Sequence, residues 1–81
     1  MRLDKFLKVS RVIKRRTVAN EACDNGRVSI NGKPAKAGTA VKPGDIVTVA
    51  FAGGSTSFEI LRVEETVRKN DASAMYRILE N

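Results

Sequence analysis

Apolar residues recur at Leu3, Phe6 and Leu7 in the stretch RLDKFLKV, spaced by three and four positions. That period is helical, and it predicts a helix over 2–9 with these three residues on one face. At 3.6 residues per turn, Lys5 and Lys8 fall on the opposite side and Arg2 toward the flank. A second helix is expected over 17–25, TVANEACDN. Thr17 is its expected N-cap and Gly26 its left-handed stop. Val18, Ala19, Ala22 and Cys23 form its apolar side, and their small size would let a neighbouring element approach closely.

From residue 27 the period changes to two. In RVSINGKPAK, Val28 and Ile30 alternate with polar residues, and Asn31-Gly32 is a strong hairpin turn pair. Pro34 suits an edge strand or a strand end, since it has no N–H to give a ladder. In KPGDIVTVAF, Pro43-Gly44-Asp45 predicts a turn and Ile46, Val47, Val49 and Phe51 a strand. Gly53-Gly54-Ser55 turns the chain again. SFEILRV then reads as an antiparallel return strand with Phe58, Ile60 and Val63 facing inward. In NDASAMYRILEN, Met75, Ile78 and Leu79 share a helical face and Asn70 or Asp71 can cap, which predicts a short C-terminal helix; YRIL alone also fits a strand. Phe6, Phe51 and Phe58 are expected in the core, leaving Tyr76 the aromatic residue expected at the surface.

The fold class expected is therefore α+β: two N-terminal helices packed on a small antiparallel sheet, with a short C-terminal helix. With 81 residues, one domain spanning 1–81 is expected. A chain of this size builds one small core and no deep, lidded active site.

Charge changes the picture more than composition does. The net charge is +6, but residues 1–42 carry 11 Lys and Arg against 3 Asp and Glu, or +8, while 43–81 carry 4 against 6, or −2. The N-terminal half is thus the candidate surface for an anionic partner. The segment KVSRVIKRR holds five cations in nine residues, interleaved with Val9, Val12 and Ile13. The expected RNA-contacting residues are Arg2, Lys5, Lys8, Arg11, Lys14, Arg15, Arg16 and Thr17. Thr17, the backbone N–H groups at the start of the second helix and Arg16 together suit a phosphate. The plain alternative is an ordinary solvated basic face. An amphipathic helix such as 2–9 also resembles a membrane-surface helix, although its apolar face is short for that purpose.

Enzyme chemistry has little to stand on. There is no His for acid–base work and one Cys, Cys23, expected as a small buried hydrophobe. No transition-metal site, cofactor motif or phosphate loop is present in the sequence, so neither catalysis nor a metal or cofactor is expected. The lone Cys suits a reducing, cytoplasmic setting. No apolar run reaches membrane-spanning length and the N-terminus is unlike a signal peptide. Scarce aromatics disfavour single-strand stacking and favour structured RNA read by shape and phosphate.

Taken together, RLDKFL, the basic stretch, the second helix and GRVSINGKPAKAGTAVKPGDIVTV resemble the S4 RNA-binding domain over about residues 1–50. The resemblance implies RNA bound across a helix pair that packs on a small antiparallel sheet. Arg2, Asp4 and Lys5 match the family's first helix, and Arg16 matches the Arg that opens its second. The chain departs from the pattern at Arg15, where many members have Ser, and at Asn20, where a basic residue is frequent. Asp4 is expected to orient its cationic neighbours or to cap. The domain would fill nearly the whole chain, with residues 51–81 as an extension and no catalytic domain attached.

Among stand-alone members, RLDKFLKVSRVIKRRT and the ending SAMYRIL are most similar to the type acting in bacterial ribosome quality control. That resemblance implies binding to rRNA of a large subunit obstructed by peptidyl-tRNA. The tRNA would be held in the P site while an alanine-tailing factor extends the stalled chain, and the protein would be a monomer off the ribosome. Three alternatives stand beside it: a heat-shock-type recycling factor, a basic module for anionic membranes or acidic proteins, and an accessory subunit of an RNA-modifying enzyme.

Overall fold

The computed structural model describes residues 1–64 and 74–79. Two helices, α1 (Leu3–Val9) and α2 (Arg16–Asp24), precede strands β1 (Val28–Ile30), β2 (Lys33–Pro34), β3 (Ile46–Phe51), β4 (Gly54–Ile60) and β5 (Tyr76–Leu79). The strands form one antiparallel sheet in the order β2-β1-β3-β4-β5.

Each local signal has a visible cause. Asn31 and Gly32 both take positive φ, 52° and 83°, as a two-residue primed turn requires between β1 and β2. Pro34 lies on the short edge strand β2, where no ladder partner needs its missing N–H. At the end of α2, Gly26 is left-handed (φ 76°). Its N–H donates to the Cys23 carbonyl while the Arg27 N–H donates to that of Ala22, a Schellman closure. The Lys42–Asp45 turn closes with Asp45 N–H on the Lys42 carbonyl and Gly44 at φ 95°.

The two turns are tied together. Asn31 Nδ2 donates to Asp45 Oδ1 at 3.2 Å, and Asn31 Oδ1 accepts the Ile46 N–H at 2.9 Å. Asp45 is buried, and its other oxygen accepts the Lys42 N–H. The hairpin and the turn into β3 are therefore one hydrogen-bonded unit, which sets the register Val28↔Val49 and Ile30↔Val47.

Leu3, Phe6 and Leu7 of α1 and Ala19 and Cys23 of α2 are fully buried with Val28, Val47, Val49, Phe58 and Ile60. Val9, Val12 and Ile13 pack partly against that core, so the basic link is anchored by its own apolar residues. Phe6 stacks on Phe58 (centroids 6.3 Å apart), and Tyr76 meets Phe58 edge-on at 5.3 Å. Residues 35–41 pass across the start of α1. Leu3 N–H donates to the Thr39 carbonyl, Asp4 N–H to that of Ala37, and Val41 N–H to that of Met1. Two of the helix's orphan donors are satisfied there.

Four expectations are corrected. The C-terminal helix is absent at 76–79, which form strand β5 paired with β4 as Ile60↔Tyr76 and Phe58↔Ile78. Met75, Ile78 and Leu79 fit a helical period, but the free ladder of β4 and the face of Phe58 offer more than an isolated short helix would. The cap candidates Asn70 and Asp71 lie outside the described residues. Phe51, expected in the core, is 51% exposed at the strand end beyond the helices' cover. Tyr76 is half-buried against Phe58 rather than at the surface. Val18 is 48% exposed, because Ala19 and Cys23 occupy the inward line of α2.

Candidate nucleic-acid interface

Asp4 organises the basic face. It is only 2% exposed, yet it lies between the two helices with every side-chain acceptor used. Oδ1 accepts the Lys5 backbone N–H at 2.8 Å and Arg2 Nε at 3.2 Å. Oδ2 accepts Arg16 Nε at 3.4 Å, Asn20 Nδ2 at 3.2 Å and Arg2 Nη2 at 3.5 Å. Burial by itself would raise the Asp4 pKa. The bonds from Asn20, the Lys5 N–H and Arg16, with the Arg16 charge, outweigh it and hold the carboxyl below its ordinary value of 3.8.

Arg2 meets Asp4 through both Nε and Nη2, and Arg16 meets it through Nε. Their side chains remain about half exposed while Nε is engaged by Asp4. A carboxylate used in this way aims two guanidinium groups outward and reduces the rotamer entropy lost on meeting a ligand.

Two shallow clefts flank Arg16. Met1, Arg2, Lys5, Arg16 and Ala40 line one of them. Asp4, Arg16, Thr17, Asn20 and Glu21 line the other, with a volume of about 380 Å³. The first brings three of the expected contact residues together. Thr17 reaches the second. Lys8, Arg11, Lys14 and Arg15 are exposed along α1's last turn and the link and line neither cleft.

Thr17 is not the N-cap of α2. The Arg15 carbonyl already accepts the Ala19 N–H, so Arg15 holds the cap position without a side-chain capping bond, and Thr17 is the second helical residue. Thr17 is exposed there and lines the second cleft. Asn20, doubtful as a contact because a basic residue is frequent there, braces Asp4. Glu21 was not singled out by sequence reasoning; its spacing of four from Thr17 and five from Arg16 was the available signal.

Cys23 is buried, and burial first, then the charges of Asp4 and Asp24, push its thiol up to about 11. It is an inert core residue. Among the described residues no group of three or more His, Cys, Asp or Glu could hold a metal ion, and no helix is long and apolar enough to cross a membrane.

A two-helix layer on an antiparallel sheet, with a cationic face braced from beneath, defines the class of small modules built to meet nucleic-acid phosphate. The chain belongs to the S4 domain family, whose model matches residues 1–47. It is 56% identical over 78 residues to the RQC P-site tRNA stabilizing factor of Halalkalibacterium halodurans, covering 96% of this chain and 89% of that protein. It is 54% identical to the protein of the same name from Bacillus subtilis, over 99% of this chain and 93% of that one. The trimeric structure of Vibrio cholerae heat shock protein 15 matches with a TM-score of 0.90 at 29% identity, covering 98% of this chain and 81% of that one.

Proposed function

We propose that this protein is a non-enzymatic RNA-binding factor of ribosome-associated quality control. It binds the rRNA of a large subunit obstructed by peptidyl-tRNA and stabilises the tRNA in the P site while an alanine-tailing factor extends the stalled chain. Two relatives named for P-site tRNA stabilisation match nearly end to end, which supports the cellular role. The observation that carries the molecular reading is the Asp4-held pair of Arg2 and Arg16 at the mouth of a cationic cleft. In this reading Arg2, Lys5 and Arg16 form the centre of the contact. Lys8, Arg11, Lys14 and Arg15 extend it along the link, and Thr17 bonds at its α2 side. The protein acts in the cytoplasm as one domain, monomeric off the ribosome and without a cofactor.

A heat-shock-type role in recycling subunits that carry nascent chain–tRNA is the second reading, favoured by the likeness to heat shock protein 15. The tailing factor separates the two: only the first makes retention on obstructed subunits depend on it. A membrane role is disfavoured because Leu3, Phe6 and Leu7, the apolar face of α1, are fully buried in the core.

Sedimentation of the tagged protein with lysate tests the proposal. Wild type should travel with large subunits that carry tRNA. The double variant Arg2→Ala/Arg16→Ala should remain at the top of the gradient while melting as a folded protein. A folded variant that still co-sediments would remove these residues from the interface.

A further inference from the structure

Glu21 is a carboxylate standing in a cationic face, and the fold gives it no structural task. Within α2 no cation lies three or four residues away: the neighbours at those spacings are Thr17, Val18, Asp24 and Asn25. Asp24 at i+3 is a mildly unfavourable like charge. Glu21 is exposed and joins no ion pair or side-chain hydrogen bond among the described residues. On a surface selected only to attract phosphate, an unpaired acid lowers affinity.

The two clefts beside Arg16 differ in chemistry. The cleft of Arg2, Lys5 and Arg16 offers cationic donors, which suit a phosphate. The neighbouring cleft offers a mixture. Thr17, Asn20 and Glu21 lie at i, i+3 and i+4 on one face of α2, opposite Asp4. Asn20 commits one N–H to Asp4 and keeps its other N–H and its carbonyl oxygen. Glu21 is a pure acceptor, and the Thr17 hydroxyl gives and accepts. Arg16 closes the side this cleft shares with the first, and the remaining set suits a ligand group that is both donor and acceptor. A base is disfavoured, since no ring lines the cleft to stack on it. The ribose 2′-hydroxyl is both donor and acceptor, and each one lies beside a backbone phosphate.

We infer that the cleft that Thr17, Asn20 and Glu21 line beside Arg16 and Asp4 is a ribose site. The 2′-hydroxyl of a nucleotide whose phosphate sits on Arg2, Lys5 and Arg16 donates to the Glu21 carboxylate and accepts from Thr17 or Asn20. Glu21 then makes the interface selective for RNA over DNA. This rests on the RNA-binding reading above and adds the feature of the nucleic acid that is read.

The test compares wild type, Glu21→Ala, Glu21→Gln and Arg16→Ala by fluorescence anisotropy. The probes are a tRNA anticodon stem-loop and its all-deoxy counterpart, at three salt concentrations. The inference requires wild type to prefer RNA. Glu21→Ala should lose about ten- to a hundredfold in RNA affinity, as expected for a charge-assisted bond, with DNA affinity level or raised. Its salt slope should match wild type, since no phosphate contact is removed. Glu21→Gln keeps an acceptor oxygen and should fall between the two. If both Glu21 variants bind RNA and DNA more tightly by the same factor, the residue is a bystander charge and the ribose site is overturned. A wild type without RNA preference overturns it as well. Arg16→Ala binding as tightly as wild type is a different result: it overturns the functional reading itself.

Discussion

A buried carboxylate that accepts five hydrogen bonds from four residues is a strong local constraint, and Asp4 makes that constraint titratable. Its pKa lies below the ordinary 3.8 when folded, so its contribution to stability is present above that value and is lost as pH falls through the folded pKa. Asp4→Asn should therefore melt below wild type at neutral pH, with the difference shrinking below about pH 3.8; thermal melts from pH 7 to pH 2.5 check this. Arg11 shows a different kind of constraint. It follows the cap of α1 with φ 63°, the place and backbone conformation that Gly26 has after α2. A left-handed Arg is strained by about 1 kcal/mol, and Gly would relieve that. Arg11→Gly should raise stability by up to about 1 kcal/mol in urea titrations. Because the guanidinium is part of the proposed contact, it should also weaken subunit binding and lower its salt slope by about one.

Elements are held in place here by side chains that bridge turns. Asn31 supplies a left-handed turn residue, a donor to Asp45 and an acceptor for the Ile46 N–H. Asn31→Ala removes all three and leaves the buried Asp45 short of a partner. A loss of about 1–3 kcal/mol is expected, with early hydrogen exchange at Ile46 as its local signature. Asn-Gly and Pro-Gly-Asp were legible in the sequence as separate turns. Their union was not, because positions 31 and 45 carry no mutual periodicity. The choice between helix and strand at YRIL is open in the sequence for a related reason. The residues Tyr76–Leu79 satisfy either period, and the unpaired ladder of β4 decides between them.

Across the whole molecule, one small core joins the basic half to the acidic half. Met75 is fully buried although it lies just before the edge strand, and its carbonyl accepts the Leu61 and Arg62 N–H groups. Met75→Ala should cost about 2–5 kcal/mol by leaving a cavity in the core, and Met75 lines neither cleft beside Arg16. Its RNA affinity, measured at a temperature where it remains folded, should equal that of wild type. The charge division has a consequence at this scale too. The +8 of residues 1–42 against the −2 of residues 43–81 steers a phosphate backbone toward the N-terminal half.

The sequence by itself determined the two helices, the hairpin, the turn glycines and the side of the molecule that carries positive charge. Those features follow from rules acting within about four residues: hydrophobic period, allowed φ and local charge count. Tertiary structure alone decided that Asp4 joins Arg16 and Asn20, 12 and 16 residues away, and that Glu21 stands beside them. It also decided that Phe51 and Val18 lie outside the core and that YRIL is a strand. Such outcomes depend on which surfaces remain uncovered once the core has closed, a property of the packed whole that no local period encodes.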